Sequence, residues 1–190
     1  MESDVKKWLK EDGEIFLKSI GVEAGQVILD YGCGAGHYTI PAAKIVGREG
    51  KVYAIDRDDD TLDRLMWTAE SEGLTNIVPI ETSEESKIDL EDDSVDVALL
   101  YDVLHFLDID ERRKLYRMVH RILKTGALLS VYPKHHKLDE PLWKFSDMRL
   151  EDIIKEIEIA NFYLDGKDHK RLIHDDNYDS GYILSFTKKE

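Results

Sequence analysis

The chain of 190 residues carries 26 lysines and arginines against 40 aspartates and glutamates, a formal net charge of −14 at pH 7, with 42% hydrophobic residues. That length suits one domain with a substantial core, and the acidic balance argues against a dedicated nucleic-acid or anionic-membrane surface, since both depend on basic clusters. A single cysteine, Cys33, excludes an internal disulfide and a cysteine-built zinc site. With no signal-peptide core in the first residues and no apolar run near the ~20 residues that span a bilayer, a soluble cytoplasmic protein is expected.

Residues 5–20 place Val5, Trp8, Leu9, Ile15, Phe16 and Ile20 at mostly helical spacing, interrupted at Gly13, which predicts one or two short helices. Gln26–Tyr31 reads as the first strand and Tyr38–Val46 as a helix, with Pro41 tolerated near its first turn. Lys51–Asp56 reads as the second strand. Asp58, Asp59 and Asp60 then supply capping and first-turn negative charge to a helix that runs to about Glu72 and stops at Gly73. Asn76–Glu81 is the third strand, Thr82–Asp93 a polar loop, and Val95–Tyr101 the fourth strand. A helical pattern over Asp110–Leu123 leads through a turn at Lys124–Gly126 into a fifth strand, Ala127–Tyr132, closed by Pro133. A loop with His135, His136, Pro141 and Trp143 precedes a helix over Leu150–Ala160. Two last strands, near Phe162–Ile173 and Tyr182–Lys188, read as a hairpin with a long loop around Asp175-Asp176-Asn177. Strands alternating with helices predict an α/β fold with a mostly parallel sheet and helices on both faces. The terminal hairpin has no helix to make a parallel crossover, so the seventh strand is expected to be antiparallel.

One stretch carries chemistry. Val27-Ile28-Leu29-Asp30-Tyr31 runs into Gly32-Cys33-Gly34-Ala35-Gly36, and a helix follows. A strand turning sharply into a helix needs residues without Cβ, and the helix N-terminus offers N–H groups and a positive dipole end to a ligand over the loop. The dinucleotide fingerprint G-x-G-x-x-G fails here, because its third glycine would fall on His37. That disfavours a nicotinamide-dependent oxidoreductase. Read alone, Asp56 could merely cap the helix after the second strand, and Cys33 is a small filler. His105 could simply pack beside Phe106 and Leu107. No spaced ligand pair joins His105, His135 and His136, so no metal site is expected.

The pattern L-D-Y-G-C-G-A-G, followed by V-Y-A-I-D, resembles the class I S-adenosylmethionine-dependent methyltransferases, closest to the ubiquinone/menaquinone-methyltransferase-like group, from about Gly21 to Glu190. The resemblance implies one class I methyltransferase domain over residues 1–190, with 1–20 as a short N-terminal helical segment. It implies a Rossmann-like seven-stranded sheet in the order 3-2-1-4-5-7-6, and S-adenosylmethionine as cofactor. It assigns Asp30 and the loop glycines Gly32, Gly34 and Gly36 to the methionine part. Asp56 would accept from both ribose hydroxyls, as a carboxylate with two acceptor oxygens can. Arg57 would lie along the adenine. Thr82 and Ser83 occupy a position where the family usually has an acid, and they are the candidates for the adenine contact. Tyr101, ending the fourth strand, would sit beside the methionine end.

Methyl transfer from a sulfonium is an in-line displacement that needs positioning and water exclusion, and a base only when the nucleophile arrives protonated. Tyr101-Asp102-Val103-Leu104 stands where adenine-methylating enzymes carry an Asn-Pro-Pro-Tyr-like tetrapeptide, and no second cysteine supports multi-cysteine arsenic chemistry. A small organic acceptor is therefore expected, with Tyr101, His105 and His135 lining its pocket and His105 as the proton acceptor if one is needed. The competing expectation is a cofactor-binding module without turnover that acts through a protein partner.

Overall fold

The computed structural model describes residues 2–82 and 88–189. Along the chain, helix α1 (Asp4–Lys7), a π-helical turn (Trp8–Asp12) and α2 (Gly13–Ser19) precede β1 (Val27–Tyr31), α3 (Thr39–Val46), β2 (Lys51–Asp56), α4 (Asp59–Ser71) and β3 (Ile77–Glu81). Then follow β4 (Val95–Tyr101), a 3-10 turn (Leu104–Phe106), α5 (Ile109–Ile122), β5 (Leu123–Tyr132), a 3-10 turn (Trp143–Phe145), α6 (Leu150–Ile159), β6 (Phe162–His174) and β7 (Asn177–Lys188). The sheet order is β3-β2-β1-β4-β5-β7-β6. The β1–β2, β2–β3 and β4–β5 pairs are parallel, and β7 runs antiparallel to β5. This is the expected Rossmann-like topology. Among the described residues no helix is long and apolar enough to cross a membrane.

The chain forms two compact units, one of residues 1–89 and 171–179, the other of residues 90–170 and 180–190. In the first unit, Ile28, Leu29, Val52, Ala54 and Ile55 are fully buried, as central parallel strands require. Helix α4 turns Leu62, Leu65 and Ala69 inward. Its cap is Asp58, whose side chain accepts from the Thr61 amide.

Gly13 does not interrupt the N-terminal helical run. It is helical, with φ −64° and ψ −40°, and its missing Cβ is used for packing: a methyl there would lie 2.6 Å from Pro41 Cγ and 2.9 Å from Trp8 Nε1. Trp8 is buried against Phe16 and Tyr38, at 5.5 Å between ring centroids in each case, and its indole N–H donates to the His37 carbonyl at 2.7 Å. The hairpin tip joins the same unit. The Tyr178 amide donates to Asp4 at 3.0 Å, the Tyr178 hydroxyl donates to Asp12, and the Tyr38 hydroxyl donates to the Ile173 carbonyl at 2.6 Å.

Two boundaries differ from the sequence expectation. Strand β7 begins at Asn177, so only Asp175 and Asp176 separate β6 from β7 and there is no long loop. Residues 177–181 read as loop because Asn177, Asp179, Ser180 and Gly181 are turn-type residues, yet their backbone continues the strand. Lys124–Gly126 lies inside β5, where the register slips from Val95↔Leu123 to Val97↔Leu128. This is a bulge that holds Gly126 at φ +75°. In the second unit β4 is buried nearly throughout, and α5 starts with a capping box between Asp108 and Glu111.

Gly13→Ala gains helix propensity worth ~1 kcal/mol but forces Pro41 or Trp8 to move, an overpacking cost of about 1–3 kcal/mol. We expect a net loss near ~1 kcal/mol, read as a fall of roughly 2–4 °C in Tm. A rise in Tm would show that the Trp8–Pro41 contact yields freely.

Candidate functional site

The loop between β1 and α3 is shaped by bonds to the end of β2. The Gly32 and Cys33 amides both donate to the Ile55 carbonyl, at 2.8 and 2.9 Å. The Gly34 amide donates to Asp56 Oδ2 at 2.9 Å. Gly32, Gly34 and Gly36 all have positive φ, and a Cβ on Gly36 would lie 2.3 Å from Leu65 Cδ1. Around Gly34 the opposite holds, since a Cβ would meet no described atom within 4 Å. The loop is thus closed toward α4 at Gly36 and open at Gly34.

Asp56 holds this loop and its own turn together. Its Oδ1 accepts from the Arg57 amide at 2.8 Å and the Asp58 amide at 3.1 Å. Three backbone donors thus take three of the roughly four lone-pair sites of a carboxylate. Among the described residues one acceptor site remains on Oδ2. The helix cap itself is Asp58, so the capping alternative does not describe Asp56. Thr82 follows β3 beside it, with its amide on the Asp56 carbonyl at 2.9 Å. Arg57 is exposed, and Ser83 lies outside the described residues.

Asp30 is 2% exposed and accepts from the Thr39 hydroxyl at 2.6 Å. Burial pushes its carboxyl up to about 6, with Thr39 opposing and Asp56 adding to the rise. The Cys33 thiol is pushed up as well, by burial and then by Asp30 and Asp56, which makes it a thiol rather than a nucleophile.

The second unit holds a separate cluster. Tyr101 is buried, and its hydroxyl shares a 2.7 Å hydrogen bond with Ser130. Asp102 Oδ1 lies 3.5 Å from His105 Nδ1 and 3.7 Å from His135 Nε2. His105 is only 2% exposed; its ring stacks on Trp143 at 5.4 Å and 30°, lies 4.1 Å from Phe106, and meets the His135 ring edge-on at 4.6 Å. Phe106 and Trp143, 4.5 Å apart, are the exposed aromatic faces of the group. Asp102, His135, Glu140 and Trp143 all adopt left-handed backbone conformations, with φ of 52°, 68°, 44° and 45°. Such conformations persist only where surrounding structure enforces them, and they concentrate at functional sites.

The structure brings together Asp30, Gly32, Gly34, Gly36, Asp56 and Thr82 in one unit, and Tyr101, His105 and His135 in the other. Sequence reasoning missed Thr39, Ser130 and the ring of Trp143. Thr39 carries a signal in retrospect, as a hydroxyl in the first turn of the helix that follows the acid. Trp143 carries none, since its 3-10 turn is too short to show a period.

A sequence profile of the methyltransferase domain family matches residues 28–126. Over 80 residues the chain is 32% identical to a protein of Saccharolobus solfataricus named probable cobalt-precorrin-6B C(15)-methyltransferase (decarboxylating), covering 42% of this chain and 40% of that protein. A demethylmenaquinone methyltransferase of Geobacillus stearothermophilus is 27% identical over 122 residues, 64% of this chain and 49% of that protein. The matches thus span less than half the length of either relative. Among solved structures, a SAM-dependent methyltransferase from Aquifex aeolicus is similar at a TM-score of 0.69 and 28% identity, covering 97% of this chain and 99% of that one.

The raised Asp30 pKa has a definite sign for stability. Between about pH 4 and about pH 6 the folded chain binds a proton that the unfolded chain does not, so this group's contribution grows more favourable as pH falls. Above that window its ionised form costs the fold ~3 kcal/mol. Asp30→Asn, which can still accept from Thr39, should raise stability at about pH 8 by up to that amount, with the gain vanishing by about pH 4. Urea unfolding across this range checks it, and a pH-independent difference would contradict the assignment.

Proposed function

The chain belongs to the methyltransferase domain family, the class I S-adenosylmethionine-dependent enzymes, and on that premise we propose that it transfers a methyl group to a small organic acceptor by in-line displacement. The observation that carries the reading is the glycine loop held by the Gly34–Asp56 bond, with the buried acid Asp30 at its start. The residues fit the cofactor. Among the described residues the backbone is open at Gly34 and a lone pair remains on Asp56 Oδ2, and Asp30 is an acid whose ionised form gains from a nearby cation. S-adenosylmethionine supplies the electrophilic methyl group on a sulfonium whose leaving group is a neutral thioether.

In this reading Asp30, Gly32, Gly34 and Gly36 hold the methionine part. Asp56 takes a ribose hydroxyl, and a second hydroxyl competes with one of its backbone donors. Arg57 and Thr82 attend the adenine, together with Ser83. Tyr101 contributes through its main chain, since its hydroxyl is engaged by Ser130. His105 and His135 are the acceptor-side groups. Asp102 Oδ1, 3.5 Å from His105 Nδ1, gives that ring an anionic neighbour on the acceptor side. The names of the two sequence relatives specify a precorrin and a demethylmenaquinone, which supports a small molecule over a macromolecule as acceptor. The same reading takes residues 1–190 as one methyltransferase domain. It also places the protein in the cytoplasm, where a lone buried thiol needs no protection.

S-adenosylhomocysteine should stabilise the protein by ~2.7 kcal/mol at a hundredfold excess over Kd, and NAD should not. Asp56→Asn leaves one acceptor oxygen where the carboxylate uses two, so it keeps either the Gly34 bond or the Arg57 and Asp58 bonds but not all three. Its affinity for S-adenosylhomocysteine should fall by on the order of 1.5–3 kcal/mol, and the Tm of the free protein should fall with the bond lost. Calorimetry and thermal melts report the two separately, and unchanged affinity would remove Asp56 from the binding set.

Turnover against a panel of small acceptors tests His105. His105→Gln should lower methyl transfer by roughly 10²-fold with S-adenosylhomocysteine affinity preserved. Parallel loss of both would make His105 a packing residue.

A further inference from the structure

Arg112, in α5, is a charged side chain only 3% exposed. Its Nε and Nη2 donate to the two carboxylate oxygens of Glu156 in α6, at 2.6 and 2.8 Å. That bidentate pair would by itself neutralise the guanidinium and join the two helices. Two further contacts go elsewhere. Nη1 donates to the Leu107 carbonyl at 2.7 Å, immediately after the turn Leu104–Phe106 that carries His105. The guanidinium carbon also lies 5.2 Å from the Phe145 ring centroid, in the turn that begins with Trp143, while Nη2 reaches the Met148 sulfur at 3.5 Å. One rigid planar group therefore fixes the end of one 3-10 turn and the body of the other. The rings that meet between those turns are His105, Phe106 and Trp143.

We infer that Arg112 is the positioning residue of the acceptor side: by fastening both turns it sets the stack of His105 on Trp143. The inference rests on the reading of this cluster as the acceptor site. Only a fork of donors in a plane makes these contacts at once. Lysine offers a point charge that can satisfy Glu156 or the Leu107 carbonyl but has no plane to lie on Phe145. Nor does helix packing demand the ion pair, because a buried pair can often be replaced by apolar residues of similar volume without loss of stability.

Fluorine NMR of protein labelled with fluorotryptophan tests this without cofactor or acceptor. The chain has three tryptophans, and Trp143→Phe identifies the Trp143 signal. In the parent, that signal carries the ring-current offset of the stacked imidazole, so it should move in His105→Gln. Asp102 and His135 also face His105, so His135→Gln is measured beside it. A Trp143 signal that moves in His135→Gln but not in His105→Gln overturns the inference. In Arg112→Lys, and in the fold-preserving pair Arg112→Met with Glu156→Leu, the Trp143 signal should move toward its position in His105→Gln while the Trp8 and Trp67 signals hold their positions. If Trp143 keeps its parent position in both variants, Arg112 only stabilises the fold and the inference fails. If it moves yet methyl transfer proceeds as in the parent, Arg112 still positions the turns, and the acceptor-site reading falls instead.

Discussion

The carboxylate of Asp56 accepting the Gly34 amide is the interaction on which the rest of the first unit's chemistry depends. It ties the end of β2 to the loop after β1, across 22 residues of sequence, and the Ile55 carbonyl supplies two more ties beside it. Backbone bonds of this kind set the loop before any ligand arrives, so the ordering entropy is met by folding rather than by binding. Burial raises the proton affinity of Asp30, with Asp56 adding to it, and burial followed by Asp30 and Asp56 raises that of Cys33.

The second unit stores its tension in the backbone. Four residues without a glycine's freedom sit in left-handed conformations around one cluster of rings, at a cost of order 1–3 kcal/mol each; Asp102 tolerates this best. The surroundings include one buried charge whose partners reach the surface. Lys134, buried, pairs with Asp139 at 2.9 Å and Glu140 at 3.1 Å, and the His135 ring bonds the Glu140 carbonyl at 2.9 Å. Polar groups taken out of water in this way must be matched closely, and a matched network has one geometry where an apolar core would have several.

Much of the fold was legible because it is periodic. The apolar run of β1 and the stripe of α4 each announce themselves within a dozen residues, the terminal hairpin gives the antiparallel seventh strand, and the strand order came with the family resemblance. What could not be read is what depends on partners distant in sequence. Gly13 looks like a helix breaker until Pro41 and Trp8 are seen against it. Residues 177–181 look like loop because strand polarity depends on what covers each face. At the candidate site, the acid at the end of β1 was visible but its burial and its bond to Thr39 were not. Asp102 and His105, three apart, do approach each other, at 3.5 Å, but through the left-handed backbone of Asp102 before the 3-10 turn rather than through a shared helical face. Trp143 joined them by a contact that no local pattern encodes.

The hairpin tip has a consequence for how the chain is made. The segment Arg171–Asp179 belongs to the same unit as the first 89 residues, and its bonds to Tyr38 and Asp12 close loops of 135 and 166 residues. A chain emerging from the ribosome therefore holds β1, β2 and β3 long before it holds the strap that bonds the N-terminal helices. Domains generally fold as units during synthesis, N-terminal first, but this unit cannot finish until residue 179 has appeared. Its early form must wait with Trp8 and its neighbours less than fully secured, which makes the nascent chain rather than the finished protein the form most exposed to chaperones and proteases.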